Sequence, residues 1–127
     1  MVEFHLEGLN ELVADLDGAP LEVRRQVRPI VQKGCHNIKT DAQRLASGLA
    51  HAPLYPQSIT YDTTEDRAGE VVGEVGPDKD RPQGALGNIL EYGTSKNAPF
   101  AHLGPAFDLE QPRFIEAIEN LGEQTLA

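Results

Sequence analysis

The sequence predicts an α+β fold: a small antiparallel β-sheet, a hairpin plus extra strands, packed against one long kinked helix, with a shorter C-terminal helix. Three observations carry this prediction. Apolar residues recur at spacings of three and four from Val23 to Leu49. Two alternating segments, residues 58–64 and 69–76, are separated by a short polar stretch. A second helical pattern, Phe107, Phe114, Ile115, Ile118 and Leu121, follows near the C-terminus. The 127 residues amount to about one domain, enough for one modest core.

Taken in order, Val2, Phe4 and Leu6 alternate with Glu3 and His5, the pattern of a half-buried strand that ends at Gly8. Leu9, Leu12, Val13 and Leu16 then fall at helical spacing, predicting a two-turn helix closed by Asp17-Gly18. The stripe Val23, Val27, Ile30/Val31, Cys35, Ile38, Ala42, Leu45/Ala46, Leu49 predicts a helix of about 45 Å. Pro29 sits inside it, so a kink is expected near residues 25–29, and the helix must end before Pro53. Ile59, Tyr61 and Thr63 alternate, as do Val71 and Val75, which reads as an antiparallel hairpin with one wet face. Residues 76–84, GPDKDRPQG, are too rich in Pro, Gly and charge for a buried element and predict an exposed loop. Leu86, Ile89, Leu90 and Tyr92 form a short apolar segment, strand or single helical turn. The last helix starts or is interrupted at Pro112.

Composition narrows the function classes. Apolar residues make up 39% and charged residues 24%, a soluble globular balance. A lone Cys35 allows no intrachain disulfide and fits a reducing compartment or a thiol that simply packs. No run approaches the roughly 18 apolar residues of a membrane span, and the acidic N-terminal segment reads as neither signal peptide nor anchor. The net charge of −9 argues against a dedicated DNA binder. That charge is unevenly placed. Residues 20–50 carry six bases (Arg24, Arg25, Arg28, Lys33, Lys39, Arg44) against Glu22 and Asp41, while both flanks are acidic. Two readings follow: a solvated helix face that balances its own domain, or charge-complementary packing between copies of the chain.

The catalytic readings fail for want of partners. The glycines at 84, 87 and 93 lack the GK[ST] of a phosphate-binding loop. Ser95 and Lys96 are adjacent in sequence, which does not place an amine beside a hydroxyl. Cys35-His36 has no second Cys, and His5, His51 and His102 lack ligand spacing. His102, between Ala101 and Leu103, is expected to be partly buried. Asp78-x-Asp80 lacks the Gly and terminal Glu of a calcium loop. The basic helix has no aromatic to stack on a base. No enzyme, no cofactor and no metal is expected.

The stretch EYGTSKNAPFAHLGPAF, residues 91–107, reads better as architecture. Gly93 can take a positive φ, Ser95-Lys96-Asn97 is a polar turn, and Pro99 and Pro105 set the path back to the core. EYGTSK (91–96), APF (98–100) and GPAF (104–107), in this order and spacing, resemble the bacteriophage head–tail joining family, the neck or tail-completion proteins of long-tailed phages. GLNEL at 8–12 before a long helix is similar to that family's opening. HAPLYPQSITYD at 51–62 departs from it, keeping the Pro and Ser-Ile but lacking a Thr-Gly step.

The resemblance implies a mechanical function. Copies of the chain would form a ring, six-fold in expectation, in the virion at the head–tail junction, after assembly in the host cytoplasm. The ring would touch a head-closure or stopper protein on one side and a tail terminator or tail tube on the other. Genomic DNA would pass through it without sequence-specific binding, past an acidic lumen that repels phosphates. Glu91, Tyr92, Gly93, Thr94, Ser95, Lys96, Pro99, Phe100 and Pro105 are the structural and subunit-interface motif. Arg24, Arg25, Arg28 and Lys33 on the helix, with Asp78, Lys79, Asp80 and Arg81 in the loop, are the expected charge contacts between subunits. That loop is expected to be ordered by a neighbour. The competing reading is a small cytosolic α+β enzyme or adaptor.

Overall fold

Strands β1 (Glu3–Glu7) and β2 (Glu11–Asp15) precede helix α1 (Leu21–Leu45). The hairpin β3 (Ile59–Glu65) and β4 (Glu70–Pro77), the short helix α2 (Gly87–Tyr92) and helix α3 (Leu103–Leu126) follow. This computed structural model describes residues 3–7, 11–15, 21–65, 70–96 and 98–126. The strands make one antiparallel sheet in the order β1-β2-β4-β3. Its architecture is the α+β arrangement that the hydrophobic periodicities predict.

The sheet and the helices meet because each has one apolar side. Val27, Val31, Cys35, Ile38 and Ala42 of α1 are fully buried, at the spacing that keeps them on one face. They pack on Val71 and Val75 of β4, Ile59 of β3 and Leu12 of β2, all buried. Each fully buried aliphatic side chain contributes about 1.5–3 kcal/mol. α3 lies beside α1, where Phe114 and the side chain of Leu12 both come up against Gly34. Gly73 of β4 is where helix and sheet come closest. A β-carbon there would collide with Cys35 Sγ and stand 3.0 Å from Val31 Cγ1.

Four sequence expectations are revised. Residues 11–15 are a strand, not part of a helix; residues 9, 10 and 16–18 of that expected helix lie outside the described residues. Pairing on both sides with β1 and β4 satisfies the backbone of residues 11–15, which a two-turn helix does not. α1 is shorter than expected: 25 residues, roughly 37 Å. It passes Pro29 without ending, on its exposed side. Gly48 at φ 89° lies just past its end, yet Ala46 stays buried and Leu49 half-buried, which extends the apolar periodicity past the helix itself. The C-terminal helix is not notably shorter: α3 has 24 residues and runs through an exposed Pro112.

The fourth concerns the loop after β4. Lys79, Asp80, Arg81 and Pro82 are exposed, as its composition predicts. Within one copy, however, the loop is already tied down. Asp78 N–H donates to the Ser58 carbonyl (2.7 Å) and Arg81 Nη1 to the Gln57 carbonyl (3.1 Å). Leu54 N–H donates to Gln83 Oε1 (2.7 Å). The segment between Leu86 and Tyr92, left open as strand or turn, is the helix α2.

Candidate functional site

The residues that carry the EYGTSK–APF–GPAF pattern build one feature, a loop held shut at its base. α2 ends at Gly93, whose φ of 76° is a conformation that side chains resist. The chain then crosses Thr94, Ser95 and Lys96, all exposed, with Lys96 N–H donating to Thr94 Oγ1 (3.2 Å). It returns through Ala98 and Pro99, and Phe100 N–H donates to the Leu90 carbonyl at 2.6 Å. That bond closes the loop against α2.

Glu91 fastens it from inside. Only 7% exposed, its Oε1 accepts the backbone N–H of His102 (3.2 Å) and of Leu103 (2.7 Å), and Oε2 accepts that of Gly104 (3.4 Å). These are donors at the start of α3 that have no partner within the helix. The carboxylate also meets the positive end of the helix dipole. Pro105 occupies the same first turn, where a missing N–H costs nothing. The motif therefore explains where α3 begins: a remote acid caps it nine residues before Pro112.

Behind Glu91 lies a sealed polar chain. His102 is completely buried, more than its neighbours alone predict. Its Nδ1 lies 3.0 Å from the Phe100 carbonyl and 3.4 Å from Glu91 Oε1, and its Nε2 is 2.6 Å from the Tyr55 hydroxyl. With the proton on Nδ1 donated to the carbonyl, Nε2 accepts from Tyr55, and every polar atom of the group is satisfied. Burial first, then the Glu91 charge, pushes the Tyr55 hydroxyl well above the usual phenol range. Neither ring is exposed, so the group joins three chain segments and has no face for a substrate. Tyr55 carried no signal in the sequence: its partner is 47 residues away.

The predicted site residues divide accordingly. Glu91, Gly93 and Pro105 shape the interior of the loop. Tyr92 (61% exposed), Thr94, Ser95, Lys96, Pro99 and Phe100 form its outer surface, with Ile89 (52%) beside them on α2. Arg25, Arg28 and Lys33 are exposed on α1; of Arg24 only its place in that helix is described. Arg28 pairs with Glu65 of β3 at 3.4 Å. Asp78 accepts the Asp80 N–H at 2.9 Å and pairs with Arg81 at 3.7 Å. The contacts of Asp78 and Arg81 are thus with their own loop and Gln57, not with the α1 bases.

A groove of about 270 Å³ between α1 and α3 is lined by Lys33, Asn37, Glu110, Arg113 and Phe114. Glu110, 3% exposed, accepts from Asn37 (3.1 Å) and Arg113 (3.5 Å). Burial raises its carboxyl above the usual range, against the lowering effect of both partners. Burial likewise pushes the Cys35 thiol up to about 12, so it packs as an inert apolar group. Among the described residues no three His, Cys, Asp or Glu are grouped to hold a metal. Comparison of the chain with family models, curated proteins and solved structures gave no match.

Proposed function

We propose that this chain is a structural protein of the phage neck. Copies of it form a ring that joins the tail tube to the head-closure complex and surrounds the DNA path. One observation supports this most: in the EYGTSK–APF–GPAF pattern Ala106 and Phe107 enter the core and Glu91 fastens the loop, while the residues between Tyr92 and Phe100, Gly93 apart, stand exposed among those described. Glu91 is spent on capping α3, and what it holds out is a rigid display of Tyr92, Thr94, Ser95, Lys96, Pro99 and Phe100. Two exposed aromatics beside Ile89, carried on a loop closed at both ends, form a surface suited to protein contact. The resemblance to head–tail joining proteins supplies the context for that contact.

The decisive measurement is position. A tag or antibody on this chain should mark the head–tail junction in electron micrographs of assembled virions. Loss of the chain should leave full heads and complete tails unjoined. Label on the capsid shell or the tail tip, or intact virions without the chain, would refute the reading.

A further inference from the structure

The strand register concentrates carboxylates on the sheet face turned away from α1. Side chains alternate along a strand, so register partners share a face. One row of the outer face holds Glu11, Glu74 and Asp62 across β2, β4 and β3, each the register partner of the next. Beside it stand Val72 and Thr64. Lys79 lines the same hollow as Asp62 and Glu74. Glu74 and Asp62 are exposed, and Glu11 and Val72 are half-buried.

Like charges directly opposite one another destabilise a sheet, and Glu74 faces one on each side, Glu11 and Asp62. A channel wall built from this face would bring still more carboxylates together. A basic surface laid over it would remove the repulsion.

The same chain carries that surface. α1 exposes Arg25, Arg28, Lys33 and Arg44. Arg28 pairs with Glu65 (3.4 Å) and Arg44 with Asp41 (3.6 Å), and both guanidinium groups remain about half exposed or more, so these pairs are of little strength. α1 covers the inner face of the sheet, and Arg28 reaches the β3 edge at Glu65, so the outer-face row meets the remaining exposed bases of α1 only in another copy. Such a contact is heterologous, the kind that builds rings. A helix is about 10–12 Å across and four strands span roughly 19 Å, so the bare face has room for one.

We infer that the acidic row Glu11, Glu74 and Asp62 on the outer face of the sheet docks the outer, basic side of α1 from a second copy of this chain. The contact deepens the ring reading and depends on it only for closure.

The test is sedimentation velocity of the full chain at low and high NaCl. Association is expected at low salt and should weaken with salt. Glu74→Lys with Asp62→Lys, or Arg25→Glu with Arg28→Glu, should each weaken it by at least about tenfold. Mixing the two variants should restore it, because each then offers the other a complementary surface. Glu74→Lys alone should raise the melting temperature of the monomer by removing two like-charge oppositions, which separates lost docking from lost folding.

A chain that stays monomeric, association indifferent to either reversal, a mixture that stays apart, or assembly abolished by EDTA would each overturn the inference. Rings that persist with the reversed face would remove this contact and leave the neck reading standing. Charge-dependent pairing in a protein absent from the head–tail junction would do the opposite.

Discussion

Glu91 and Leu103, twelve residues apart, are joined by a 2.7 Å hydrogen bond from a backbone N–H at the start of α3 to a buried carboxylate. A capping acid normally comes from the residues just before its helix; here it comes from the previous one. The consequence is mechanical coupling: α2, the displayed loop and α3 cannot separate without breaking the hydrogen bonds that Glu91 accepts.

Glu91→Ala should therefore destabilise the protein by about 2–3 kcal/mol, since it strips charge-assisted hydrogen bonds from several buried donors. The midpoint of urea denaturation should fall, and amide exchange at Leu103 and Gly104 should accelerate more than at Val31. Equal loss of protection throughout the chain would deny Glu91 a capping role.

Tyr55→Phe should cost about 1–3 kcal/mol, although it removes one oxygen, because it leaves His102 Nε2 buried without a partner. Thermal or urea melts of the single variant are sufficient. A neutral result would mean that His102 is satisfied elsewhere.

Stability should decline in alkali. Cys35 and Tyr55 both have folded-state pKa values raised above their ordinary 9.0 and 10.0, so they bind protons more tightly when folded. Their contribution is complete below pH 9. It then falls as the unfolded chain ionises first, by roughly 1.4 kcal/mol per pH unit for each group between its two pKa values. The melting temperature should drop from pH 9 upward, and Cys35→Ala should flatten the slope. A flat profile to pH 11 would contradict the burial of both groups.

Gly73→Ala should destabilise by about 1–3 kcal/mol through the clash with Cys35. Cys35→Ala, harmful on its own, should recover part of that loss when combined with it. A double-mutant cycle measures the coupling; simple additivity would mean that the helix shifts away instead.

Tyr92→Ala and Phe100→Ala should leave the urea midpoint almost unchanged, within about 0.5 kcal/mol, because both side chains are largely outside the core. Particle yield in complementation should nevertheless fall sharply if the loop is a contact surface. Normal yields with folded variants would dismiss it.

Much of the fold was legible in local pattern. The α1 stripe, the two strands of the β3–β4 hairpin and the apolar pair of Phe107 and Phe114 all show in spacing, because a helix and a strand each repeat with a fixed period. Residues 11–15 were misread because Leu12 and Val13 suit both periods; partner strands decided, and β4 lies some 60 residues away. Of the two roles left open for Pro112, start or interruption of α3, the structure has the helix running through it; the true start is capped by Glu91, which belongs to another helix and leaves no local signal.

By itself, then, the sequence determined the elements that can be built from neighbours along the chain: an amphipathic helix, a hairpin, and a loop that turns at Gly93 and Pro99. It also determined the total charge. Where that charge went was decided only by the tertiary structure. Strand pairing lined up Glu11 with Glu74 and Asp62, from two distant stretches, into one row. The inward turn of Glu91 removed one acid of the pattern from the surface altogether. Both outcomes depend on contacts between segments far apart in the chain, and no local period records them.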